Sequence, residues 1–177
     1  LIIYEEIGDK SKVGYRLEGI GSVHRDKGDL DTALDFYERS LLMREELGNK
    51  SGMVSCLLNI GWTYYKIGAY NKALDYYKRE LIILEELGDN KYKSNNVNNM
   101  GLVYFQQEIY NKAVEYLEKS ATMQMEQNKT IKIETTSHLF LSKKLLGKEY
   151  NIKKIHTLIK EQEETKDYIN FALFKLL

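Results

Sequence analysis

Few side chains in this sequence stand where they could do covalent chemistry. His24, His138 and His156 lie far apart in the chain, and none shares a motif with Cys56 or with a carboxylate pair. Nucleophilic or metal-dependent catalysis needs a nucleophile with its base and orienting group, or several ligands converging on one point. No phosphate-binding glycine loop, metal-ligand spacing or nucleophile elbow is present. The adjacent acids Glu45-Glu46 and Glu85-Glu86 cannot converge on one ion when carried by a helix, so they read as surface charge paired with lysines such as Lys50 or Lys93 across repeat junctions. The expectation is a protein that is not an enzyme and takes no cofactor and no metal.

The chemistry on offer is recognition. One stretch supplies Leu58, Asn59, Trp62, Tyr65 and Lys66, and a later one Asn95, Asn98, Asn99, Leu102, Phe105 and Gln106. An earlier one supplies Tyr15, Ser22 and Arg25. An asparagine in mid-helix has poor helix propensity but brings two donors and an acceptor, which is what binding a peptide backbone requires. Trp62, Tyr65, Leu58, Leu102 and Phe105 lie about 100° off the core stripe of their helices, where they either pack on neighbouring helices or line an open groove.

Helices must position these groups. From Leu57 the apolar residues Leu57, Ile60 and Tyr64 recur at three- and four-residue spacing, pause at Gly68, and resume through Leu74, Tyr77, Leu81 and Leu84 to Gly88. Two amphipathic helices joined by a short turn give that pattern. Gly8, Gly48 and Gly88 recur at a step of 40 residues, as do Gly21, Gly61 and Gly101, and Ala33, Ala73 and Ala113. Such a period marks an all-α solenoid of antiparallel hairpins, each burying its apolar face on its neighbours. We denote the first and second helices of each hairpin A and B.

The boundaries follow from the period. Residues 1–8 match the end of a B helix whose partner is missing, which suggests a longer parent array. Full hairpins are expected at 9–48, 49–88 and 89–128, a divergent one at 129–166, and a capping or truncated helix at 167–177, all in one array over 1–177. Gly28, Gly48, Gly68 and Gly88 are expected to end helices in left-handed geometry, and Asp29 to cap the next helix, while Ala69 and Ile109 cannot. Gly61 and Ala73 are expected where the two helices of a hairpin approach most closely.

Composition removes several classes of function. Lys plus Arg and Asp plus Glu balance at 26 each, so no global field draws the chain to nucleic acid or to an anionic membrane. No stretch reads as a membrane span. One cysteine forms no internal disulfide, which suits a cytoplasmic setting. Proline is absent, as long helices with glycine corners allow.

The repeat resembles the tetratricopeptide repeat, W-x2-L-G-x2-Y followed by A-x3-F. The closest unit reads Leu57-x2-Ile60-Gly61-x2-Tyr64 and Ala73-x3-Tyr77. The missing proline and the 40-residue step are similar to the long-repeat subclass of kinesin light chains and Pins-type adaptors. That resemblance implies a right-handed superhelix whose A helices line a concave groove for a protein or peptide ligand. It also implies that Asn59 and Asn99 hold a ligand backbone. The carboxylate clamp of chaperone-binding relatives is not reproduced, since Glu18, Ser22, Asn95 and Asn99 stand at its positions. A non-catalytic interaction module is the leading expectation. The alternatives are a peptide-sensing segment of a larger signalling protein and a self-assembling homo-oligomeric scaffold.

Overall fold

The computed structural model describes residues 10–127 and 133–148, with side chains from Thr135 onward in the last segment. The readings for residues 1–8, the second helix of the fourth hairpin and the final helix lie outside the described residues. The chain forms two compact units, one ending at Asp89 and one beginning at Asn90. The first holds α1 (Lys10–Asp26), α2 (Leu30–Glu46), α3 (Lys50–Ile67) and α4 (Tyr70–Leu87). The second holds α5 (Asn90–Gln106), α6 (Tyr110–Glu126) and α7 (Ile133–Leu145). Every described element is helical, and consecutive helices within each unit pack on one another.

The helix ends show why the chain turns where it does. Asp29 caps α2, its carboxylate accepting from the Thr32 amide, and Asn49 caps α3 by accepting from the Gly52 amide. The capping bond and the His24 imidazole hold the Asp29 carboxyl below the usual carboxylate range, with His24 the larger cause. Ala69 and Ile109 make no side-chain cap. Gly68 closes α3 at φ 83°, and the equivalent corner after α5 places Glu108 at φ 61°, a conformation costly for a residue with a Cβ.

The core of the first unit is the stripe the periodicity marks. Ala33, Tyr37, Leu57, Ile60 and Leu84 are buried in one cluster that also holds Cys56. The hairpin glycines admit a ring rather than a small side chain. A Cβ on Gly61 would stand 2.7 Å from the Tyr77 ring, and one on Gly21 would stand 2.8 Å from the Tyr37 ring. The close approach expected at Gly61 and Ala73 is therefore made between Gly61 and the aromatic residue one turn beyond Ala73. Across the hairpin edges His24 stacks on Phe36 and Tyr64 on Tyr76, each pair at 5.5 Å. Glu45 reaches Arg79 on α4 of the next hairpin at 3.0 Å, whereas Glu46 and Glu86 pair within their own hairpins, with Lys10 at 2.6 Å and with Lys50 at 3.0 Å. This differs from the junction pairing expected for Lys50, because antiparallel packing brings the start of an A helix beside the end of its own B helix.

Gly19 provides the contrast, since a Cβ there would meet nothing within 4 Å. Gly19→Ala should therefore raise stability by up to about 1 kcal/mol through helix propensity. Gly61→Ala gains the same propensity but overpacks Tyr77, and should lower stability by about 1–3 kcal/mol. Urea unfolding of the two variants checks the opposite signs.

Candidate groove of the first unit

Between α1 and α3 lies an open groove of ≈ 820 Å³, lined among others by Tyr15, Gly19, Ser22, Asn49, Ser51 and Ser55. Its floor is a charged pair that sequence reading did not find. Arg44, from the B helix α2, reaches Glu18 on α1 with Nη2 to Oε2 at 2.6 Å, and the two side chains are only 11% and 14% exposed. Gly52 makes room for it, since a Cβ there would lie 1.9 Å from Arg44 Nη1. The signals were a glycine in the first turn of α3 and an arginine where the next repeat carries the buried Leu84.

A hydrogen-bonded network spreads from this pair. Ser40 donates to the Gly14 carbonyl at 2.7 Å and accepts from Arg44 Nε and Cys56 Sγ, each at 3.3 Å. On the other side Glu18 Oε1 accepts from the Ser55 hydroxyl and from Asn59 Nδ2, the latter at 3.2 Å. Asn59 Oδ1 in turn accepts from Arg25 Nη1 at 3.2 Å. The Arg25 guanidinium lies 5.4 Å from the Trp62 ring centroid, and Lys66 Nζ lies 5.0 Å from it. Arg25 also meets the neighbouring Asp26 at 2.9 Å.

The structure therefore brings Arg25, Asn59, Trp62 and Lys66 into one cluster, which Glu18 joins to the groove holding Tyr15 and Ser22. Tyr15 is 67% exposed, and the Ser22 hydroxyl accepts from Tyr37 at 3.2 Å. Leu58 and Tyr65 are half-buried, Tyr65 standing 6.1 Å from Tyr70. In the second unit Asn95, Asn99 and Phe105 are half-buried and Gln106 is exposed. Asn98 and Leu102 are buried, at 2% and 8% exposure, and Asn98 Oδ1 accepts from Thr135 at 2.6 Å. Asn98 is thus spent holding α5 to α7, in the same register that joins Glu18 to Ser55. The second unit repeats the serine as well, Ser120 donating to the Ser94 carbonyl at 2.8 Å and accepting from Gln124.

The remaining chemistry is quiet. Cys56 is fully buried, and burial pushes its thiol up, away from the thiolate a nucleophile needs. Among the described residues no three His, Cys, Asp or Glu side chains gather as a metal site, and no helix is long and apolar enough to cross a membrane.

Paired antiparallel helices with small-residue contacts at a fixed step define a helical-repeat protein. Tetratricopeptide repeat models match residues 16–86 and 96–124, and the chain belongs to that family. No curated protein sequence matches it. Among solved structures it is similar to the apo form of RapI, with TM-score 0.82 and 16% identity over 91% of this chain and 61% of that one. The Rap conjugation gene regulator of plasmid pLS20, solved with the Phr* peptide, aligns with TM-score 0.73 and 16% identity over 89% and 44%. A putative kinesin light chain with nearly identical repeats from Podosopora anserina aligns with TM-score 0.69 and 12% identity over 89% and 78%. The chain thus spans about three fifths of RapI and less than half of the plasmid regulator.

Removing one member of the buried pair should cost more than removing both. Glu18→Ala strands the Arg44 cation and should destabilise by about 3 kcal/mol or more. The double variant Glu18→Leu, Arg44→Leu copies the apolar residues the next repeat carries at Leu58 and Leu84, and should unfold within about 1 kcal/mol of wild type. Denaturation midpoints of the two variants check the order.

Proposed function

We propose that the A-helix face of the first unit binds an acidic segment of a partner protein or peptide, with an apolar side chain of that segment seated in the groove. Charge separation carries this reading. The A helices α1 and α3 hold six Lys and Arg against two acids, whereas the B helices α2 and α4 hold five against nine. The second unit repeats the bias, α5 holding two lysines and no acid, and α6 two lysines against three acids. Within each unit of a neutral chain the A helices are therefore basic and the B helices acidic, and complementary charge steers a partner to a face more than it adds affinity.

Lys10 and Lys50 are committed to glutamates at the helix starts, which leaves Arg25 and Lys66 as the cations beside Trp62. A cation in the last turn of a helix also suits the dipole, which accounts for the sign of both. It does not account for their convergence on the single tryptophan. In this reading Tyr15, Ser22, Arg25, Asn59, Trp62 and Lys66 contact the ligand in the first unit. Asn95, Asn99 and Gln106 offer the corresponding amides in the second, and the hairpins over 1–177 form one array in the cytoplasm. Likeness to a regulator solved with a peptide favours a sensory version, in which the occupant is a signalling peptide and this chain is the sensing segment of a larger regulator.

Two labelled peptides of equal length test the charge, one with aromatic and acidic residues and one with each acid replaced by lysine. The acidic peptide should bind at least about tenfold more tightly by fluorescence anisotropy, weaken as salt rises, and lose its advantage in Arg25→Glu, Lys66→Glu. Equal binding of both peptides would overturn the reading.

A further inference from the structure

The Glu18–Arg44 pair links α1 to α2, and Glu18 reaches α3 through Ser55, yet a hairpin of this kind does not need ions at these positions. One repeat later the corresponding positions are Leu58, half-buried, and Leu84, 1% exposed, and the same kind of hairpin forms without ions. A buried pair that apolar residues replace elsewhere in one chain is a stability liability unless it fixes something else. What it fixes can be followed atom by atom. Arg44 holds Glu18 Oε2, which leaves Oε1 to accept from Ser55 and from Asn59 Nδ2. With its nitrogen so engaged, Asn59 must turn its oxygen toward Arg25.

Besides the Trp62 ring, Arg25 has among the described residues one other polar partner, the adjacent and largely exposed Asp26, which meets Nε and Nη2. Asp26 and Asn59 engage Nε, Nη2 and Nη1 once each, and a guanidinium carries five N–H groups, which leaves donors on the terminal nitrogens for a ligand carboxylate. We propose that Glu18 and Arg44 are positioning residues that act through Asn59 to hold the Arg25 guanidinium beside Trp62, giving the first unit a preformed carboxylate site with Lys66 as its second cation. The proposal rests on the acidic-ligand reading above and assigns the side-chain order that readies the site before any ligand arrives. Asn59 on this account orients a cation instead of holding a ligand backbone through both of its polar atoms.

Trp62 is the only tryptophan in the chain, so its fluorescence reports this site directly. The experiment compares quenching by iodide and by caesium at fixed ionic strength in the full chain. The variants are Arg25→Ala with Lys66→Ala, Asn59→Ala, and Glu18→Leu with Arg44→Leu, each first checked for helicity by circular dichroism. With each constant divided by that of free N-acetyltryptophanamide, which iodide quenches more strongly than caesium, the wild-type iodide value should exceed the caesium value by about threefold, because two cations raise the local anion concentration. Loss of both cations should bring the ratio near one. Asn59→Ala, which leaves the buried pair in place, and the leucine double variant should each lose at least half of the iodide preference. A wild-type ratio near one would remove the acidic-ligand reading itself. A wild-type preference that Asn59→Ala leaves intact would overturn the positioning role and spare that reading, and an unfolded leucine double variant would show that the pair serves the fold.

Discussion

Contact between a backbone and a ring sets the spacing of each hairpin in the first unit. At Gly61 the A helix offers no side chain, and the edge of Tyr77 comes as near as 2.7 Å to where a Cβ would be. Gly21 and Tyr37 repeat the arrangement. A glycine inside a helix costs roughly 1 kcal/mol in propensity, and burying a whole tyrosine ring at the hairpin centre offsets it. Because helix separation is fixed there, every residue at a given place in the 40-residue step meets the same neighbours. That constraint lets one register hold a serine–carbonyl bond at Ser40 and Gly14 in the first unit and at Ser120 and Ser94 in the second.

Within this scaffold the repeats differ in what lies beneath the A-helix face. The first hairpin puts an ion pair there, the second leucines, and the third an amide bonded to a threonine. The backbone does not require these differences, so they are where the repeats acquire individual surfaces. The sorting of charge between A and B helices belongs to the same level. It leaves net charge at zero while making the A helices net basic and the B helices net acidic.

Period and composition made the fold readable, since a feature recurring at a fixed step is reinforced each time it appears. Gly61, Ala73 and Tyr77 could be assigned to the hairpin core from the 40-residue step and Asp29 to a cap from local spacing, although the nearest contact of Gly61 is with the Tyr77 ring. The charged floor was harder, because Arg44 and Glu18 lie 26 residues apart and meet only once two helices fold back. Arg44 also sits beside Glu45 and Glu46, where it reads as one more surface charge. Asn98 and Asn99 show the other limit. Neighbouring helical residues differ by about 100° in direction, so one amide is buried against Thr135 while the next is half-exposed, and composition treats them alike.

Binding by the A-helix face of the first unit is the central claim, and amide hydrogen exchange with and without an acidic peptide bound tests it most directly. Added protection should fall in the peptides spanning Lys10–Asp26 and Lys50–Ile67, strongest around Arg25 and Trp62. Protection confined instead to Leu30–Glu46 and Tyr70–Leu87, the B helices, would contradict it.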